Sequence, residues 1–449
     1  MENIRENKMG SMPIGRLVFK MSIPLIASMM FQALYNIVDS VFVARLNQDA
    51  LNAVSLAFPF QQLVTAFSVG TGVGINALLS RSLGAKDREN ADRAANTGIF
   101  LYIVSAIVFS VIGLVFARPF YAVQTSNENI INYGKEYITV CIGFCYAIFG
   151  QMCGERLLQS TGRTDLAMIP QTCGAIFNMI FDPILIFGLC GFPRLEVKGA
   201  AIATVSGQVL ATFIAFYLNI KKNTEIHLSF KKIRFHAETA KEIYRIGFPS
   251  IIMQSIGSLM TFCLNKILIG FTEAATAAFG AYFKIQSFIF MPVFGLNNAT
   301  VPIVAYNYGA KSYDRVKQTV KTVILTAVGI MTFGLLLFEL IPGTLLQLFS
   351  PTEEMLAVGK TAFRVIGSHF PLAGFCIIAG SVCQALGKPM YSLITSICRQ
   401  IVALLPAAYL LSLTGRLELV WLCFPIAELV SLLFSAIFLK NTFTALEKE

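Results

Sequence analysis

The sequence predicts an all-α integral membrane protein with about twelve transmembrane helices, arranged as two parallel repeats of six. Composition is the first reason: 55% of the residues are hydrophobic, only 13% are charged, and the mean hydropathy is +0.68. The second is that apolar runs of about 20 residues, which match a hydrocarbon core of about 30 Å, recur along the chain. The third is an internal repeat, because the two halves match at an offset of 225 residues.

Apolar segments follow one another along the chain, and each is long enough to cross a bilayer. We predict spans at residues 18–42, 51–80, 92–117, 131–160, 165–190, 197–220, 238–265, 274–306, 315–340, 355–386, 389–412 and 416–440. The third and the ninth contain long runs with almost no charge, Phe100–Phe116 and Thr322–Leu340. Because the number of spans is even, both termini are expected on the same side of the membrane.

The repeat is seen as identical residues at matched positions of corresponding spans. The first and seventh spans share a proline, Pro24 and Pro249, and the second and eighth share a glycine, Gly70 and Gly295. The matched connections are Gly84-Ala85-Lys86 with Gly309-Ala310-Lys311, and Gln159-x-x-Gly162-Arg163 with Gln384-x-x-Gly387-Lys388. A duplicated hydrophobic bundle is the usual construction of a secondary transporter.

A polar and basic connection, Lys221–Ala237, separates the two repeats. We therefore predict a first lobe at residues 1–220, a cytoplasmic linker at 221–237 and a second lobe at 238–449. Because each lobe has six spans, the lobes enter the membrane in the same orientation, as a parallel repeat. Proline bends a helix by removing a backbone hydrogen bond, and its matched position in both repeats predicts a hinge at Pro24.

The basic residues that give the chain its net charge of +10 are distributed according to the predicted membrane topology. Lysine and arginine concentrate at the termini and in the connections after even-numbered spans, and are few in the other connections. The positive-inside rule therefore places both termini and the linker in the cytoplasm. No soluble basic domain is available for nucleic acid, so the predicted surroundings of the protein are the lipid bilayer.

Polar side chains form stripes on several spans. A charged group at the bilayer centre costs at least about 2.5–3.5 kcal/mol, so it usually faces a cavity or a partner. The stripes are Ser28, Gln32, Asn36 and Asp39 in the first span, Gln151, Glu155 and Gln159 in the fourth, Gln171, Asn178 and Asp182 in the fifth, and Thr204 and Gln208 in the sixth. Their spacings place each stripe on one helical face, and we expect these faces to point toward one another.

The second repeat keeps a polar stripe but loses the acids. Its first span carries Gln254, Ser258, Thr261 and Asn265. The positions that match Asp39, Glu155 and Asp182 are Leu264, Gly380 and Ala407. Glu428 in the last span is the exception to this loss. We therefore predict that the first bundle handles any coupling cation.

Asp39, Asn178, Asp182 and Thr204 form the predicted cation-coupling set. A carboxylate in a low-dielectric cavity can take up a proton near neutral pH, and carboxylate, amide and hydroxyl oxygens also suit a hard cation such as Na⁺. The alternative is that both aspartates bond to internal helix breaks and never titrate.

The predicted substrate cavity consists of polar residues from both repeats. They are Gln32, Asn36, Gln61, Glu155, Gln171, Gln254, Gln286 and Glu428. Two of them have alternatives, because Glu155 could pair with Arg156 and Glu428 could be a helix-packing group. The 38 phenylalanines and 15 methionines suit adaptable contacts with varied compounds, although most of them must serve packing and lipid contact.

Five segments carry a family resemblance: Gln32–Val43, Gly70–Gly84, Gln159–Arg163, Asn178–Gly188 and Gly199–Val205. Together they resemble the multidrug and toxic compound extrusion (MATE) family, in particular the bacterial pumps of the MepA type. The resemblance implies two six-helix lobes in a V shape. It also implies export of cationic or amphipathic drugs in exchange for H⁺ or Na⁺ by rocker-switch alternating access.

The resemblance further implies a cation pocket in the first lobe. Asp39 would supply it from the first helix, Asn178 and Asp182 from the fifth, and Ala200 and Thr204 from the sixth. One branch of the family also carries acids in the seventh and tenth helices. This sequence has Gln254 and His369 in those helices, so no second-lobe cation site is expected. A family member of this kind would lie in the bacterial inner membrane with both termini in the cytoplasm.

Two other function classes fit the sequence less well. A lipid-linked sugar flippase could share the two-lobe plan but would favour basic residues deep in the cavity. The only candidates for that role are Lys266, Lys284, Arg364 and Arg399. A membrane-embedded enzyme would need a nucleophile with a base, or a metal set, and His369 has no spaced partner. We therefore predict a monomeric transporter rather than an enzyme, with no cofactor besides the coupling H⁺ or Na⁺.

Overall fold

Helices form the regular structure of this chain, as expected of a backbone that must satisfy its own hydrogen bonds inside hydrocarbon. The computed structural model describes residues 7–228, 233–349 and 351–447, and the regular elements in these ranges are all helical. Residues 229–232 of the predicted linker lie outside the described part, as do residues 1–6, Ser350 and residues 448–449.

The helices are numbered in chain order. They are α1 (Lys8–Ser11), α2 (Ile14–Ala44), α3 (Gln48–Gly84), α4 (Arg88–Ala122), α5 (Glu128–Cys141), α6 (Tyr146–Ser160), α7 (Thr164–Phe187), α8 (Glu196–Lys222), α9 (Ala237–Ile269), α10 (Glu273–Gly309), α11 (Tyr313–Leu340), α12 (Pro342–Gln347), α13 (Glu353–Gly367), α14 (Phe370–Ala385), α15 (Pro389–Ile397), α16 (Leu405–Ser412), α17 (Leu417–Val420) and α18 (Cys423–Leu446). A π-helical segment, Cys398–Leu404, joins α15 to α16.

Ten helical stretches in the described residues are long and apolar enough to cross a membrane, and two bent helix pairs raise the number to twelve. The pairs are α5 with α6, bent by 41°, and α13 with α14, bent by 47°. They coincide with the predicted fourth and tenth spans, and each of these two spans consists of two helices with a bend between them. Gly143 lies in the first break and Pro371 is the second residue of α14 after the second break, and both residue types disfavour a continuous helix. The predicted all-α transmembrane fold is confirmed.

The same backbone conformations recur at matched positions of the two repeats. Lys86 and Lys311, which follow α3 and α10, have positive φ angles of 59° and 56°. Gly162 and Gly387, which follow α6 and α14, have φ angles of 82° and 76°, a region that glycine enters without steric cost. The side chains that cap helix N-termini also match in pairs, Asn47 with Thr272 and Asn127 with Thr352. The sequence repeat is therefore a repeat of local structure.

Contacts divide the chain into two compact units. One is Ala27–Ile251, and the other combines Met1–Ile26 with Ile252–Glu449. In the first unit α3 packs on α4 and α6 on α8, and in the second α10 packs on α11 and α14 on α18, so matched helices make matched contacts. The predicted lobes follow the sequence repeat instead, and the two divisions differ in the assignment of residues 1–26 and 221–251.

The division falls inside α2 and α9, directly after Ile26 and Ile251. In the first unit α9 packs tightly on α3, since a Cβ atom on Gly247 would lie 2.5 Å from the Gly70 carbonyl oxygen. In the second unit α2 packs on α10, since a Cβ atom on Gly295 would lie 2.7 Å from Ile26 Cα. Gly70 and Gly295 are a matched pair, so the same glycine position allows both close helix contacts.

Candidate functional site

Two of the predicted polar stripes meet where α2 and α7 come together. The Gln171 Nε2 atom donates a hydrogen bond of 2.6 Å to Gln32 Oε1. Asp39 follows Gln32 by seven residues, as Asn178 follows Gln171. Seven residues are close to two helical turns, so each stripe continues along the same face from this contact. The predicted inward orientation of these two stripes relative to each other is therefore present in the structure.

Asn178 joins the stripe of α7 to α8. Its Nδ2 atom donates hydrogen bonds to Asp182 Oδ1 at 3.2 Å and to Thr204 Oγ1 at 3.1 Å. Asn178 is 2% exposed and Asp182 is fully buried. The Asp39 side chain of α2 interacts with the Asp182 side chain. Three helices of one unit thus bring together Asp39, Asn178, Asp182 and Thr204, the set predicted to handle the cation.

Three acceptor oxygens in this cluster have no hydrogen-bond donor among the residues that the structure describes. They are Asp39 Oδ1, Asn178 Oδ1 and Asp182 Oδ2, and all are buried. Leaving a buried acceptor unsatisfied costs about 1–3 kcal/mol, and more when the group is charged. A proton on a carboxylate, or an alkali cation among the oxygens, would remove this cost because each presents positive charge to the acceptors. The cluster is chemically suited to hold a small cation.

Small residues allow α7 and α8 to approach closely enough for these bonds. A Cβ atom on Gly207 would lie 2.7 Å from the Gly174 carbonyl oxygen, so the two backbones are almost in contact. Gly199 is equally constrained, since a Cβ atom there would lie 2.5 Å from the Leu185 carbonyl oxygen. Ala200, one turn before Thr204 on α8, is fully buried.

Sequence reasoning missed two tyrosines beside the carboxylates. Tyr35 lies close enough to Asp39 and Asp182 for both charges to act on it. Tyr137 of α5 lies near Asp39 and accepts a hydrogen bond of 3.2 Å from Gln61 Nε2, which links that predicted residue to the cluster. Tyr35 precedes Asp39 by one turn, so helical spacing could have found it. No sequence pattern connects Tyr137 to α2.

Glu155 belongs to a separate buried group on α6. Its side chain is 3% exposed and accepts a hydrogen bond of 2.8 Å from Gln151 Nε2. The neighbouring Arg156 is also buried and donates a hydrogen bond of 2.9 Å to Gln159 Oε1. These bonds run along α6 itself, so they hold Glu155 within its own helix. Its role in a substrate cavity, like that of the exposed Asn36 on α2, stays a prediction.

The remaining predicted cavity residues belong to the unit that contains the second repeat. Gln254 is exposed, and Gln286 is half-buried with an Oε1 atom that has no hydrogen-bond partner among the described residues. Glu428 is 2% exposed and forms an ion pair of 3.1 Å with Arg399. The second repeat therefore retains a charged pair inside its spans, although its first-span stripe has no acid.

A family model, MatE, matches the chain twice, at residues 24–184 and 249–410. The two matches begin at the matched prolines, Pro24 and Pro249, and follow the internal repeat. Together they cover most of both repeats.

Individual proteins match over nearly the whole chain. The FAD transporter of Shewanella oneidensis is 29% identical over 424 residues, which cover 94% of this chain and 93% of that protein. The multidrug export protein MepA of Staphylococcus haemolyticus is 26% identical over 411 residues, which cover 91% of this chain and 89% of that protein. The expected similarity to MepA-type pumps is confirmed, and the similarity to an FAD transporter stands beside it.

A solved structure shows the same fold. It is described as the outward-facing conformation of a multidrug resistance MATE family transporter of the MOP superfamily. The two structures have a TM-score of 0.94 at 25% sequence identity, and the alignment covers 100% of both chains.

Proposed function

Because the chain belongs to the multidrug and toxic compound extrusion (MatE) family, we propose that it exports cationic and amphipathic organic compounds in exchange for H⁺ or Na⁺. It is a multi-pass membrane protein. Relatives named as multidrug export and multidrug resistance proteins support the drug cargo. We place it in the bacterial inner membrane as a monomer with both termini in the cytoplasm, in keeping with the distribution of its basic residues.

The observation that carries the exchange mechanism is the cluster of oxygens around Asp182. Asp39, Asn178 and Asp182 each present a buried acceptor that has no donor within the described part of the chain, and Thr204 supplies a hydroxyl to the same group. Removing a cation from such a cluster leaves two carboxylates facing each other, which is unfavourable at low dielectric. Binding and release of the cation would therefore change the preferred positions of α2 and α7.

Exchange follows if the cation and the substrate favour opposite states of the protein. A ligand shifts a conformational equilibrium only by its difference in affinity for the two states. In the proposed cycle, a cation bound from outside favours one state of the alternating-access cycle and a substrate bound from inside favours the other. Asp39 and Asp182 act in this cycle as cation ligands or proton acceptors, and Asn178 positions Asp182 and Thr204.

Transport by the purified protein in liposomes tests this proposal. Ethidium serves as the cationic probe, and an H⁺ or a Na⁺ gradient is imposed across the same vesicles. We expect one of the two gradients to drive ethidium against its own concentration, and protein-free liposomes to show no such movement. If neither gradient drives ethidium or a panel of other cationic dyes, the proposed drug–cation exchange is wrong.

FAD is a second candidate cargo, because a relative named as an FAD transporter aligns with 94% of this chain. The same vesicles can be loaded with FAD and exposed to the H⁺ gradient and the Na⁺ gradient in turn. Gradient-dependent FAD movement that ethidium inhibits would indicate one shared pathway. FAD movement without ethidium movement would replace the drug cargo with a flavin cargo.

A further inference from the structure

A partly buried ion pair lies inside the membrane-spanning part of the second repeat. Arg399 Nη1 donates a hydrogen bond of 3.1 Å to Glu428 Oε2, and these residues come from the π-helical segment and from α18. The Glu428 side chain is 2% exposed, whereas the Arg399 side chain is 32% exposed. The Glu428 carboxylate is thus enclosed, whereas about a third of the Arg399 side chain is accessible.

The depth of Arg399 limits what that accessible surface can be. It lies 10 residues after the start and 13 before the end of the span Pro389–Ser412. At a rise of 1.5 Å per residue, the nearer end of the span is about 15 Å away. That distance is too long for the side chain to reach the headgroup region, and an arginine in hydrocarbon is strongly unfavourable. At this depth we expect the guanidinium group to face protein, water or a bound ligand rather than lipid.

The first repeat has nothing equivalent at these positions. Gly174 and Ala203 match Arg399 and Glu428, and they lie where α7 and α8 pack closely. The segment that matches Cys398–Leu404 is regular α-helix within α7, whereas the second repeat is π-helical there. π-helical turns occur frequently at functional sites. The charged pair is therefore a specific feature of the second repeat, in a segment where the helix geometry also changes.

Most N–H donors of the Arg399 guanidinium group make no hydrogen bond to the described residues. Arginine carries five N–H donors in a planar fork, and the bond to Glu428 is the one hydrogen bond that Arg399 donates to the described residues. Such a fork binds carboxylate and phosphate groups in a fixed geometry. Glu428 holds the guanidinium group and balances its charge, so the pair as a whole is neutral. A neutral pair favours one acid group on an apolar or zwitterionic molecule over a multiply charged anion.

We propose that Arg399 binds the carboxylate or phosphate group of acid-bearing amphipathic substrates, with Glu428 as the residue that positions it. This inference rests on the proposed export function and extends its substrates from cations to zwitterions and monoacids. The two roles use different parts of the protein, since the cation cluster lies in the unit Ala27–Ile251 and the Arg399 pair lies in the other.

A pair of dyes that differ only in the acid group tests the proposal. Tetramethylrhodamine is a zwitterion with a free carboxylate, and tetramethylrhodamine methyl ester is the corresponding cation. Binding of both is measured by fluorescence polarisation on the full-length protein in lipid-free detergent. Arg399→Gln should weaken binding of the free acid by about tenfold or more, as expected for the loss of a charge-assisted hydrogen bond. Binding of the ester should change by less than about twofold, and Arg399→Lys should recover part of the loss because it keeps the charge.

Two further variants separate ligand binding from structural effects. Arg364→Gln breaks an ion pair of 4.0 Å with Glu339 that is exposed in the same unit, and it should leave the ratio of the two affinities unchanged. Arg399→Gln leaves Glu428 buried without its partner, which could distort the site. The double variant Arg399→Gln/Glu428→Gln removes that unpaired charge and should still bind the free acid weakly. If it regains normal binding, the loss came from the unpaired carboxylate and the proposal is wrong.

Other outcomes also contradict the assignment of Arg399. One is an equal loss of affinity for the free acid and the ester in Arg399→Gln, and another is an unchanged ratio of these two affinities. A third is that Arg399→Gln loses only the binding of added phosphatidylglycerol, which would make a lipid phosphate the ligand. Failure of the proposed function has a different result, because the wild-type protein would then bind the dyes without transporting either of them under any gradient.

Discussion

At the scale of single residues, the proposed coupling depends on the atoms that Asn178 holds in place. Its amide nitrogen donates to Asp182 and Thr204, which sets the spacing of oxygens between α7 and α8. Its own side-chain oxygen accepts no hydrogen bond from any described residue. The second-repeat stripe has a different chemistry, since Thr261 Oγ1 donates to the Gly257 carbonyl oxygen of its own helix. The Asp39 cluster thus combines acids with acceptor oxygens that lack a donor among the described residues, whereas the second-repeat stripe contains no acid.

This difference predicts opposite effects for changes in the two stripes. Asp182→Asn or Asn178→Ala should lower the ratio of export rates with and without the driving gradient by about tenfold or more, because each removes a charge-assisted or positioning interaction. Thr261→Ala and Asn265→Ala are the matched controls. They should change substrate affinity but keep the ratio, since hydroxyl and amide groups do not release protons near neutral pH. The reverse pattern would move coupling to the second repeat.

The sequence predicted this cluster because its members follow helical spacing within each span. Asp39, Asn178 and Asp182 were recognisable as acids or amides on polar faces inside apolar helices. The partners from other helices were not recognisable in the same way. Tyr137 and Arg399 reach their partners across helix contacts, and no spacing along one helix indicates such contacts.

At the scale of helices, α2 and α9 each continue through a proline. Pro24 and Pro249 have no N–H group, so the carbonyl oxygens of Lys20 and Arg245 lack their usual helical donor. The division of the chain into packing units falls two residues after each proline, behind Ile26 and Ile251. A weak point in the backbone of each long helix therefore coincides with a change in the packing partners of that helix.

Pro24→Ala is expected to lower the turnover of gradient-driven export several-fold while substrate affinity stays nearly constant. Alanine restores the missing hydrogen bond and stiffens α2 near the Asp39 stripe. Turnover and affinity are measured separately, in liposomes and in detergent. Pro59→Ala is the control, since Pro59 lies inside α3 but has a lysine at its matched position. Equal turnover of Pro24→Ala and the wild type would rule out the hinge.

Gly70→Ala should destabilise the first unit. A Cβ atom on Gly70 would lie 2.8 Å from the Gly247 carbonyl oxygen, so backbone must move, and overpacking of this kind costs about 1–3 kcal/mol. Gly280→Ala is the matched control in α10, because nothing lies within 4 Å of the added Cβ atom. Thermal unfolding in detergent should give a clearly lower Tm for Gly70→Ala and an equal or higher Tm for Gly280→Ala. Equal Tm values would show that the α3–α9 contact is looser than described.

The order and the lengths of the helices were largely predictable, but the bends were not. Hydropathy over residues 131–160 and 355–386 is continuous, which predicts one span each. The bends of 41° and 47° arise at breaks of a few residues that hydropathy does not register. Gly143 and Pro371 mark the breaks in the sequence, but similar residues inside α3 and α10 leave those helices continuous.

At the scale of the whole molecule, the two repeats share a framework and differ in their charged groups. The two repeats share helix caps and residues with positive φ angles at matched positions, and the MatE model matches both copies. The first repeat holds the Asp39 cluster, whereas the second holds the Arg399 pair. The sequence comparison of the repeats predicted this asymmetry for the acids, because it needs only aligned positions and no contacts.

The basic residues predict the orientation of the whole chain, and cysteine labelling can measure it. Cys190 is exposed in the connection between α7 and α8, which follows an odd-numbered span and is therefore predicted outside. In a background without the other cysteines, a membrane-impermeant maleimide should label Cys190 in spheroplasts. A single cysteine introduced as Glu447→Cys, at the exposed end of α18, should react only after permeabilisation. The opposite pattern would invert the proposed topology.

The most direct test of the central claim, that a cation held by the first repeat drives export, is transport by Asp39→Asn in liposomes. Asp39 is the acid that α2 contributes to the cluster, and its matched position in the second repeat is Leu264. We expect the variant to bind ethidium as the wild type does, and to exchange it passively between its two sides, but to lose accumulation driven by the H⁺ or Na⁺ gradient. Gradient-driven accumulation at the wild-type rate by folded Asp39→Asn protein would contradict the account.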